Sequence, residues 1–327
     1  MTHIFTLQLR PVLLLFLLLL LGGCGEHHFD TKPAHKIMQD AHSGGSALAI
    51  NADSNRLISG GWAGKLKIWS LPDGKLLKQW KAHKGSVNGI YYINDDKNIV
   101  TAGYDGRVVV WNLNGQKSKE WNGGSAIRAL DLVSNGRAVT GHVNGKIRLW
   151  KLSDGKKLKE QQFKKADITA VSVNKAGSKV ALSNSSGRAA QWNLDDNSLV
   201  QMESSPSYSR SLTWSPDGNS IFGSGWFKIF RWAASDGKIT VLPTEHTGII
   251  NDIQFTPSGK LATISRQTDS SILVLDPNSG STLSALGKHD LCGGYVAVAP
   301  NGCFAATNSD DASVRIWKMN PDCPTTQ

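Results

Sequence analysis

The sequence contains few of the features that mark an enzyme. It has four cysteines among 327 residues and no Cys-x-x-Cys-His segment, which excludes c-type haem attachment through that motif. It also lacks a Gly-x-Ser-x-Gly elbow, a glycine-rich phosphate loop and a His-Glu-x-x-His segment. The usual signatures of serine hydrolases, nucleotide-binding enzymes and zinc proteases are therefore absent. We expect a protein that is not an enzyme and that binds no cofactor and no metal.

The longest apolar run covers positions 12–21. Ten residues are too few to cross a bilayer, which takes about 20, but they suit the apolar part of a signal peptide. The run ends in Leu21-Gly22-Gly23-Cys24, which resembles the lipobox of bacterial lipoproteins. The resemblance predicts a signal peptide over residues 1–23, a lipid on Cys24 and a tether over residues 24–33. The alternative is an ordinary signal peptide that happens to contain a cysteine.

The same resemblance predicts a location. Several acyl chains on one cysteine would anchor the protein stably to a membrane. Lipoproteins of the inner membrane often carry Asp after that cysteine, whereas this chain has Gly25. We therefore expect an outer-membrane anchor, with the protein facing the periplasm of a diderm bacterium. The formal charge of +10 falls to +9 without residues 1–23, but export would keep this basic protein from nucleic acid.

A repeat of about 40 residues covers the rest of the chain. In each repeat, a short apolar segment ends in an anchor residue, which is tryptophan in six repeats and leucine in one. The anchors are Trp69, Trp111, Trp150, Trp192, Trp232, Leu275 and Trp317. The intervals between them are 42, 39, 42, 40, 43 and 42 residues. Hairpin signals such as Asn114-Gly115 and Asp154-Gly155 follow the anchors. This pattern is typical of propeller blades with four strands each.

The repeats resemble the WD-repeat family over about residues 34–320, although the Trp-Asp dipeptide of the family is absent. The resemblance predicts an all-β, seven-bladed propeller of four-stranded antiparallel blades over residues 34–327. No fourth strand follows the last anchor, and residues 35–39 belong to no blade of their own. We therefore expect this N-terminal segment to add the missing strand and to close the ring.

Complete blades of the family contain a hydrogen-bond chain of His, Ser or Thr, Asp and the anchor Trp. The chain has a physical reason, because a buried indole N–H needs an acceptor. By alignment, blade two has His83, Thr101, Asp105 and Trp111, and blade seven has His289, Thr307, Asp311 and Trp317. Blade one has Ala63 in place of Asp, and blade three lacks the His at the family position. Blades four and five lack most of the set, so we expect them to be the least rigid.

Three cysteines follow Cys24, and export would permit disulfides. In the expected blade seven, Cys303 begins the second strand and Cys323 lies just beyond the third. These strands are antiparallel, so both cysteines are expected at the same end of the blade. Cys292 precedes the first strand and is expected at the opposite end. We therefore predict a Cys303–Cys323 disulfide, with Cys292 unpaired.

Candidate partner-binding residues come from the same alignment. Trp62 and Tyr104 occupy equivalent positions in blades one and two, which in the family lie on the top face near the central channel. Trp226 of blade five is a third candidate, and Asp310 has the equivalent position in blade seven. Tryptophan and tyrosine are frequent in interface hot spots. The alternative is that these rings pack against neighbouring loops.

Lysines cluster in blades one and three. Those of blade one are Lys65, Lys67, Lys75, Lys78, Lys81 and Lys84. Lysine on outer strands commonly prevents edge pairing between molecules. The alternative function is contact with an acidic partner, anionic lipid or lipopolysaccharide.

Taken together, these features predict a monomeric, membrane-anchored scaffold of the bacterial cell envelope that binds a protein partner. The first alternative is an accessory subunit in outer-membrane assembly or in a periplasmic electron-transfer complex. The second alternative is a propeller enzyme of the quinone-dependent dehydrogenase type. Such an enzyme would need a metal and acidic ligands over the channel, and the sequence offers no such cluster.

Overall fold

The computed structural model describes residues 31–133 and 136–323. In these residues, twenty-eight strands form seven four-stranded antiparallel sheets. The prediction of an all-β, seven-bladed propeller is confirmed. The described ranges include no helix that is long and apolar enough to cross a membrane. The expected signal peptide and Cys24 lie outside the described residues, and the expected tether lies mostly outside them.

The strands follow the chain in a simple meander, and four successive strands form each of the first six blades. Blade one contains β2 (Gly45–Ile50), β3 (Arg56–Gly61), β4 (Lys65–Ser70) and β5 (Leu76–Lys81). Blade two contains β6 (Val87–Ile93), β7 (Asn98–Gly103), β8 (Arg107–Asn112) and β9 (Lys117–Asn122). Blade three contains β10 (Ile127–Val133), β11 (Arg137–His142), β12 (Lys146–Lys151) and β13 (Lys157–Gln162).

The next three blades repeat this order. Blade four contains β14 (Ile168–Val173), β15 (Lys179–Asn184), β16 (Ala189–Asn193) and β17 (Leu199–Gln201). Blade five contains β18 (Leu212–Trp214), β19 (Ser220–Ser224), β20 (Lys228–Ala233) and β21 (Ile239–Pro243). Blade six contains β22 (Ile249–Phe255), β23 (Leu261–Arg266), β24 (Ser271–Leu275) and β25 (Thr282–Lys288). The expectation that blades four and five are the least rigid stays a prediction.

Blade seven closes the ring with strands from both ends of the propeller. It contains β26 (Gly293–Val298), β27 (Phe304–Ser309), β28 (Val314–Lys318) and β1 (Lys36–Met38). Strand β1 pairs antiparallel with β28, and Met38 lies opposite Val314. The Met38 side chain is buried among residues of blades one and seven, which include Trp69 and Phe304. The predicted closure by the N-terminal strand is therefore confirmed.

A disulfide joins Cys303 to Cys323 in the same blade, and their Cα atoms are 5.6 Å apart. Cys303 lies just before β27, and Cys323 lies just after β28. The bond therefore ties the segment after the last strand back to the blade. Cys292 is a free, partly buried cysteine in the loop that leads into β26.

The core lies between neighbouring blades, where large side chains of one sheet pack against the next. Trp80 on β5 lies against the anchor Trp111 of blade two, with ring centroids 5.9 Å apart. Trp121 on β9 contacts Trp150 of blade three in the same way, at 6.1 Å. Gly115 has a φ of 79°, and a Cβ atom there would lie 3.0 Å from the Trp80 ring. The turn after β8 therefore needs glycine both for its backbone and for this contact.

Candidate functional site

The hydrogen-bond chain of blade two joins the residues that the sequence aligned. His83 Nδ1 lies 2.8 Å from Asp105 Oδ1, and His83 Nε2 lies 2.8 Å from Thr101 Oγ1. Trp111 Nε1 donates to Thr101 Oγ1 at 3.0 Å. A carboxylate only accepts, so His83 Nδ1–H donates to Asp105, and Nε2 accepts from the threonine hydroxyl. The chain leaves no polar atom of the buried His83 ring unpaired.

Asp105 is the charged end of that chain. Burial acts to raise the pKa of Asp105, but hydrogen bonds from His83, the Lys84 N–H and Arg107 outweigh it and hold the pKa well below its usual value. The Arg107 guanidinium donates to Asp105 Oδ2 at 2.8 Å and to Glu120 at 2.7 Å. Asp105 is thus ionised and fully paired, which suits a structural role.

Blade seven has the same arrangement. His289 lies 3.0 Å from Asp311 through Nδ1 and 2.7 Å from Thr307 through Nε2. Trp317 Nε1 donates to Thr307 Oγ1 at 2.7 Å. Arg315 donates to Asp311 at 2.9 Å. The structure therefore joins all four predicted residues of this blade as it does in blade two.

Two further chains were missed by the sequence analysis. In blade six, His246 lies 2.7 Å from Thr263 and 3.2 Å from Asp269. The anchor of this blade is Leu275, so the tryptophan pattern does not mark the set. In blade three, His142 at the end of β11 lies 2.8 Å from Thr140 of the same strand. This histidine comes from the second strand instead of the loop before the first, so the family spacing did not reveal it.

Blade one has an incomplete chain. His42 Nε2 lies 2.8 Å from Ser59 Oγ, and Trp69 Nε1 donates to the same oxygen at 2.8 Å. Ala63 takes the position of the aspartate, as the sequence predicted. Burial, and then the charge of Lys67, lower the pKa of His42 to about 4. The buried imidazole is therefore neutral near pH 7.

The aromatic candidates lie on one face of the propeller. We call it the top face, and it consists of the loops entering each first strand and the turns between second and third strands. Trp62 is 47% exposed, Tyr104 is 50% exposed and Trp226 is 49% exposed. The Trp62 ring partly covers Gly44, so it packs on a neighbouring loop and also meets solvent. Trp226 is in blade five, three blades away from Tyr104.

The turns that carry Trp62 and Tyr104 flank one loop. Ala82 N–H donates to Gly64 O at 2.8 Å on one side of this loop. Tyr104 N–H donates to Ser86 O at 2.9 Å on the other side. These bonds fix both turns to the 82–86 loop, so the two rings are displayed on adjacent, well-braced blades.

Asp310, the fourth candidate, is engaged within the propeller. Its carboxylate accepts from Arg266 Nη2 of blade six at 3.0 Å, and its side chain is 21% exposed. Burial, the largest influence, raises the pKa of Asp310, and the charge of Arg266 opposes that effect. Asp310 therefore joins blades six and seven on the same face on which the three aromatic rings are exposed.

The seven innermost strands surround a central channel of about 760 Å³. Asp131 in this channel accepts from the N–H groups of Leu132 and of Val173 in blade four, both at 2.7 Å. Asp252 accepts from Val296 N–H of blade seven at 3.0 Å. Burial raises the pKa of each carboxyl to about 6, and hydrogen bonds oppose the rise. The two aspartates therefore tie neighbouring blades together.

Within residues 31–133 and 136–323, no group of three or more His, Cys, Asp or Glu side chains could hold a metal ion. The chemistry that the described site offers is hydrogen bonding, charge and apolar contact on the top face.

Comparison with known proteins points to the same repeats. The family model for the WD domain, G-beta repeat (WD40) matches residues 33–70, 74–112 and 286–318. These segments cover the closing strand and most of blades one, two and seven. They are the blades in which histidine, serine or threonine and the anchor tryptophan are joined as the family alignment predicts.

Several curated proteins are similar to parts of the chain. DDB1- and CUL4-associated factor 13 of Dictyostelium discoideum is 22% identical over 282 residues, which cover 83% of this chain and 63% of that protein. Protein ROOT INITIATION DEFECTIVE 3 of Arabidopsis thaliana is 28% identical over 163 residues, 45% of this chain and 37% of that protein. Small ribosomal subunit protein RACK1 of Caenorhabditis elegans is 28% identical over 130 residues, 38% of this chain and 40% of that protein.

The matched segments span between 37% and 63% of the length of these three relatives. The repeat period, the seven closed blades, the internal hydrogen-bond chains and the family match all agree. The protein is a seven-bladed β-propeller, and three segments in blades one, two and seven match the WD40 repeat model.

Proposed function

We propose that the protein is a non-catalytic scaffold whose top face binds a protein partner. WD40 propellers commonly bind protein partners, and their homologues are mostly scaffolds without catalytic activity. The observation that carries the proposal is the pair Trp62 and Tyr104, two half-exposed aromatic rings on adjacent braced turns. Large aromatic side chains on a rigid surface bind with little loss of conformational entropy, which is why they dominate interface energies.

We further propose that the propeller is anchored to the outer membrane through a lipid on Cys24 and faces the periplasm. The support is the lipobox-like Leu21-Gly22-Gly23-Cys24 after an apolar run of signal-peptide length, with Gly25 following. Mass spectrometry of the protein from a diderm bacterial host should find an acyl-modified N-terminal cysteine, and Cys24→Ser should release the protein from the membrane fraction. An unmodified cysteine in the wild type would refute the anchor and leave the scaffold proposal standing.

The interaction face is tested by the double variant Trp62→Ala with Tyr104→Ala. Removing both rings should abolish partner capture in a cross-linking and co-purification experiment. The melting temperature should change little, because substitutions at exposed positions away from special features usually alter stability by less than about 0.5 kcal/mol. Identification of the captured protein would also show whether the partner belongs to outer-membrane assembly or to an electron-transfer complex.

A matched control removes exposed apolar groups from outer strands. Val200 on β17 is 61% exposed and Leu283 on β25 is 48% exposed. The double variant Val200→Ala with Leu283→Ala should capture the partner as the wild type does. Equal capture by the aromatic variant and by the wild type would contradict the proposed face. A large fall in melting temperature would instead show that the rings belong to the core.

A further inference from the structure

Three blades hold a carboxylate at the same position of the top face. Asp105, Asp269 and Asp311 each accept from the Nδ1 of their histidine, at 2.8, 3.2 and 3.0 Å. Each also accepts from the backbone N–H of the residue after that histidine. These second donors are Lys84, Thr247 and Asp290, at 2.9, 2.7 and 3.2 Å. The fold therefore builds a two-donor position for one carboxylate in each of these blades.

Blade one has the donors without the carboxylate. His42 uses Nε2 for Ser59, as the other histidines do for their hydroxyl residue. A Cβ on Gly61 would lie 2.6 Å from His42 Nδ1, and a Cβ on Gly103 would lie 2.3 Å from His83 Nδ1, so the two rings have the same placement. Among the described residues, no acceptor is hydrogen-bonded to His42 Nδ1 or to Ser43 N–H.

This position is open to solvent and basic. Ala63, which replaces the aspartate, is exposed. Four lysines belong to the surrounding segments, and none forms an ion pair with a carboxylate of the described residues. They are Lys65, Lys67, Lys81 and Lys84. Lys81 Nζ donates to Ala63 O, and Lys67 Nζ donates to Asp40 O at 3.2 Å. Asp40 is the acidic side chain whose charge acts on Lys67.

We propose that this position in blade one binds the carboxylate of an aspartate or glutamate side chain of the partner protein. The inference rests on the proposed interaction face and names the chemistry that the partner must present there. His42 Nδ1–H and Ser43 N–H donate to the carboxylate, and the four lysines favour its charge. Trp62 precedes Ala63 and Tyr104 lies across the 82–86 loop, so the two rings contact the residues on either side of the acid.

A protein acid fits these observations better than an anionic lipid surface. The same pair of donors already holds a single side-chain carboxylate in three other blades of this propeller. The position lies between two aromatic rings, which suit the apolar side chains of a peptide segment. An anionic membrane would need only the lysines, so its binding would be independent of His42 and of the residue at position 63.

The test restores the missing acid within the protein itself. In Ala63→Asp, the blade's own carboxylate should occupy the position and complete the hydrogen-bond chain. We expect a higher melting temperature and loss of partner binding from the same substitution. Ala63→Ser, which adds a small polar group without charge, is the matched control and should bind as the wild type does.

The binding probe is a set of dodecapeptides selected by phage display on the full-length wild-type protein, then synthesised with fluorescein. We expect them to share an Asp or Glu whose amide analogue binds the wild type at least about tenfold more weakly. Ala63→Asp should lower the affinity for the acidic peptide by a similar factor. This variant should bind the acidic peptide and its amide analogue with equal affinity. The double variant Lys65→Gln with Lys67→Gln should bind the acidic peptide more weakly than the wild type does. Its affinity for the amide analogue should be unchanged.

Several results would overturn the inference. These are selected peptides without an acid, equal binding of the acidic peptide to Ala63→Asp and to the wild type, or no peptide selected at all. If Ala63→Asp does not fold, the lysine variant decides, and unchanged affinity contradicts the inference. The selected peptides could instead bind the double variant Trp62→Ala with Tyr104→Ala weakly and bind Ala63→Asp as they bind the wild type. That result would support the interaction face and refute the acid-binding position. Binding to phosphatidylglycerol vesicles in place of peptides would refute it in favour of a membrane.

Discussion

Replacing Trp317 with alanine should lower the free energy of unfolding by about 3–5 kcal/mol, the usual cost of removing a large core side chain. Its ring is 3% exposed and packs with Ile264 and Val274 of blade six. Its indole N–H also donates to Thr307 Oγ1 at 2.7 Å. The substitution therefore leaves a cavity between two blades and removes one member of the hydrogen-bond chain.

The size of this effect is read from thermal unfolding of matched variants. Trp317→Ala should lower the melting temperature by roughly 6–10 °C, given about 2 °C per kcal/mol, the lower end of the range for domains of 150–250 residues. Trp317→Phe keeps most of the ring and loses the N–H, so its cost should be smaller. Trp62→Ala removes the same side chain from an exposed site and should cost little. Similar losses for Trp317→Ala and Trp62→Ala would contradict the assignment of Trp317 to the core.

Acidification between about pH 7 and about pH 4 should destabilise the propeller, mainly through two neutral histidines. Burial is the largest cause that lowers the pKa of His42 and of His142 to about 4, from an ordinary value of 6.5. Protonation then favours the unfolded chain. The stability that each histidine contributes is complete above pH 6.5 and is lost as the pH falls towards 4. Each loss is at most about 3 kcal/mol, since one pH unit between two pKa values corresponds to about 1.4 kcal/mol.

The channel aspartates act in the opposite direction. Burial raises the pKa of Asp131 and Asp252 to about 6, above the ordinary value of 3.8. Protonation favours the folded state, so they add stability as the pH falls from 6 towards 4. Their side chains line the channel. Burial also lowers the pKa of His289, so three histidines act against two aspartates and should determine the sign of the overall change.

The melting temperature measured across this pH range tests the balance. His142→Gln stays neutral at every pH, and its amide N–H can still donate to Thr140. Its melting temperature should therefore fall less between pH 6.5 and pH 4 than that of the wild type. His35→Gln changes an exposed histidine outside the hydrogen-bond chains and should keep the wild-type dependence. Parallel curves for His142→Gln and the wild type would show that the His142 charge is not the cause.

The fold could be predicted because its signal is repeated. The seven anchors, spaced about 42 residues apart, give the number of blades, and each anchor marks the third strand of its blade. The missing strand after Trp317 and the unassigned segment 35–39 then specify the closure, which β1 provides. Short strands such as β17 and β18, with three residues each, carry too few residues for their lengths to be read from a pattern.

The site was less predictable, because the interactions that form it cross between strands and blades. Leu275 removed the tryptophan signal from blade six, although His246, Thr263 and Asp269 keep their geometry there. The alignment places Asp310 at the position equivalent to Tyr104. The ion-pair partner of Asp310 is Arg266, which belongs to another blade, so no local sequence pattern reveals the pair. The absence of an acid at Ala63 was visible in the sequence. The exposure of that position and its unpaired donors became visible only in the structure.

A ring made from one linear chain has a single joint that no peptide bond crosses. Here that joint lies between β1 and β28, where three residue pairs meet. The blade that contains it also carries the Cys303–Cys323 cross-link and a complete set of His289, Asp311 and Thr307 contacts. The disulfide joins the segments that flank β27 and β28, which follow each other in the chain, so it lies on one side of the joint and does not cross it. The joint is therefore held by the β1–β28 pairing and by Met38, which packs between blades one and seven, and a ring opened there would expose the flanks of both sheets beside it.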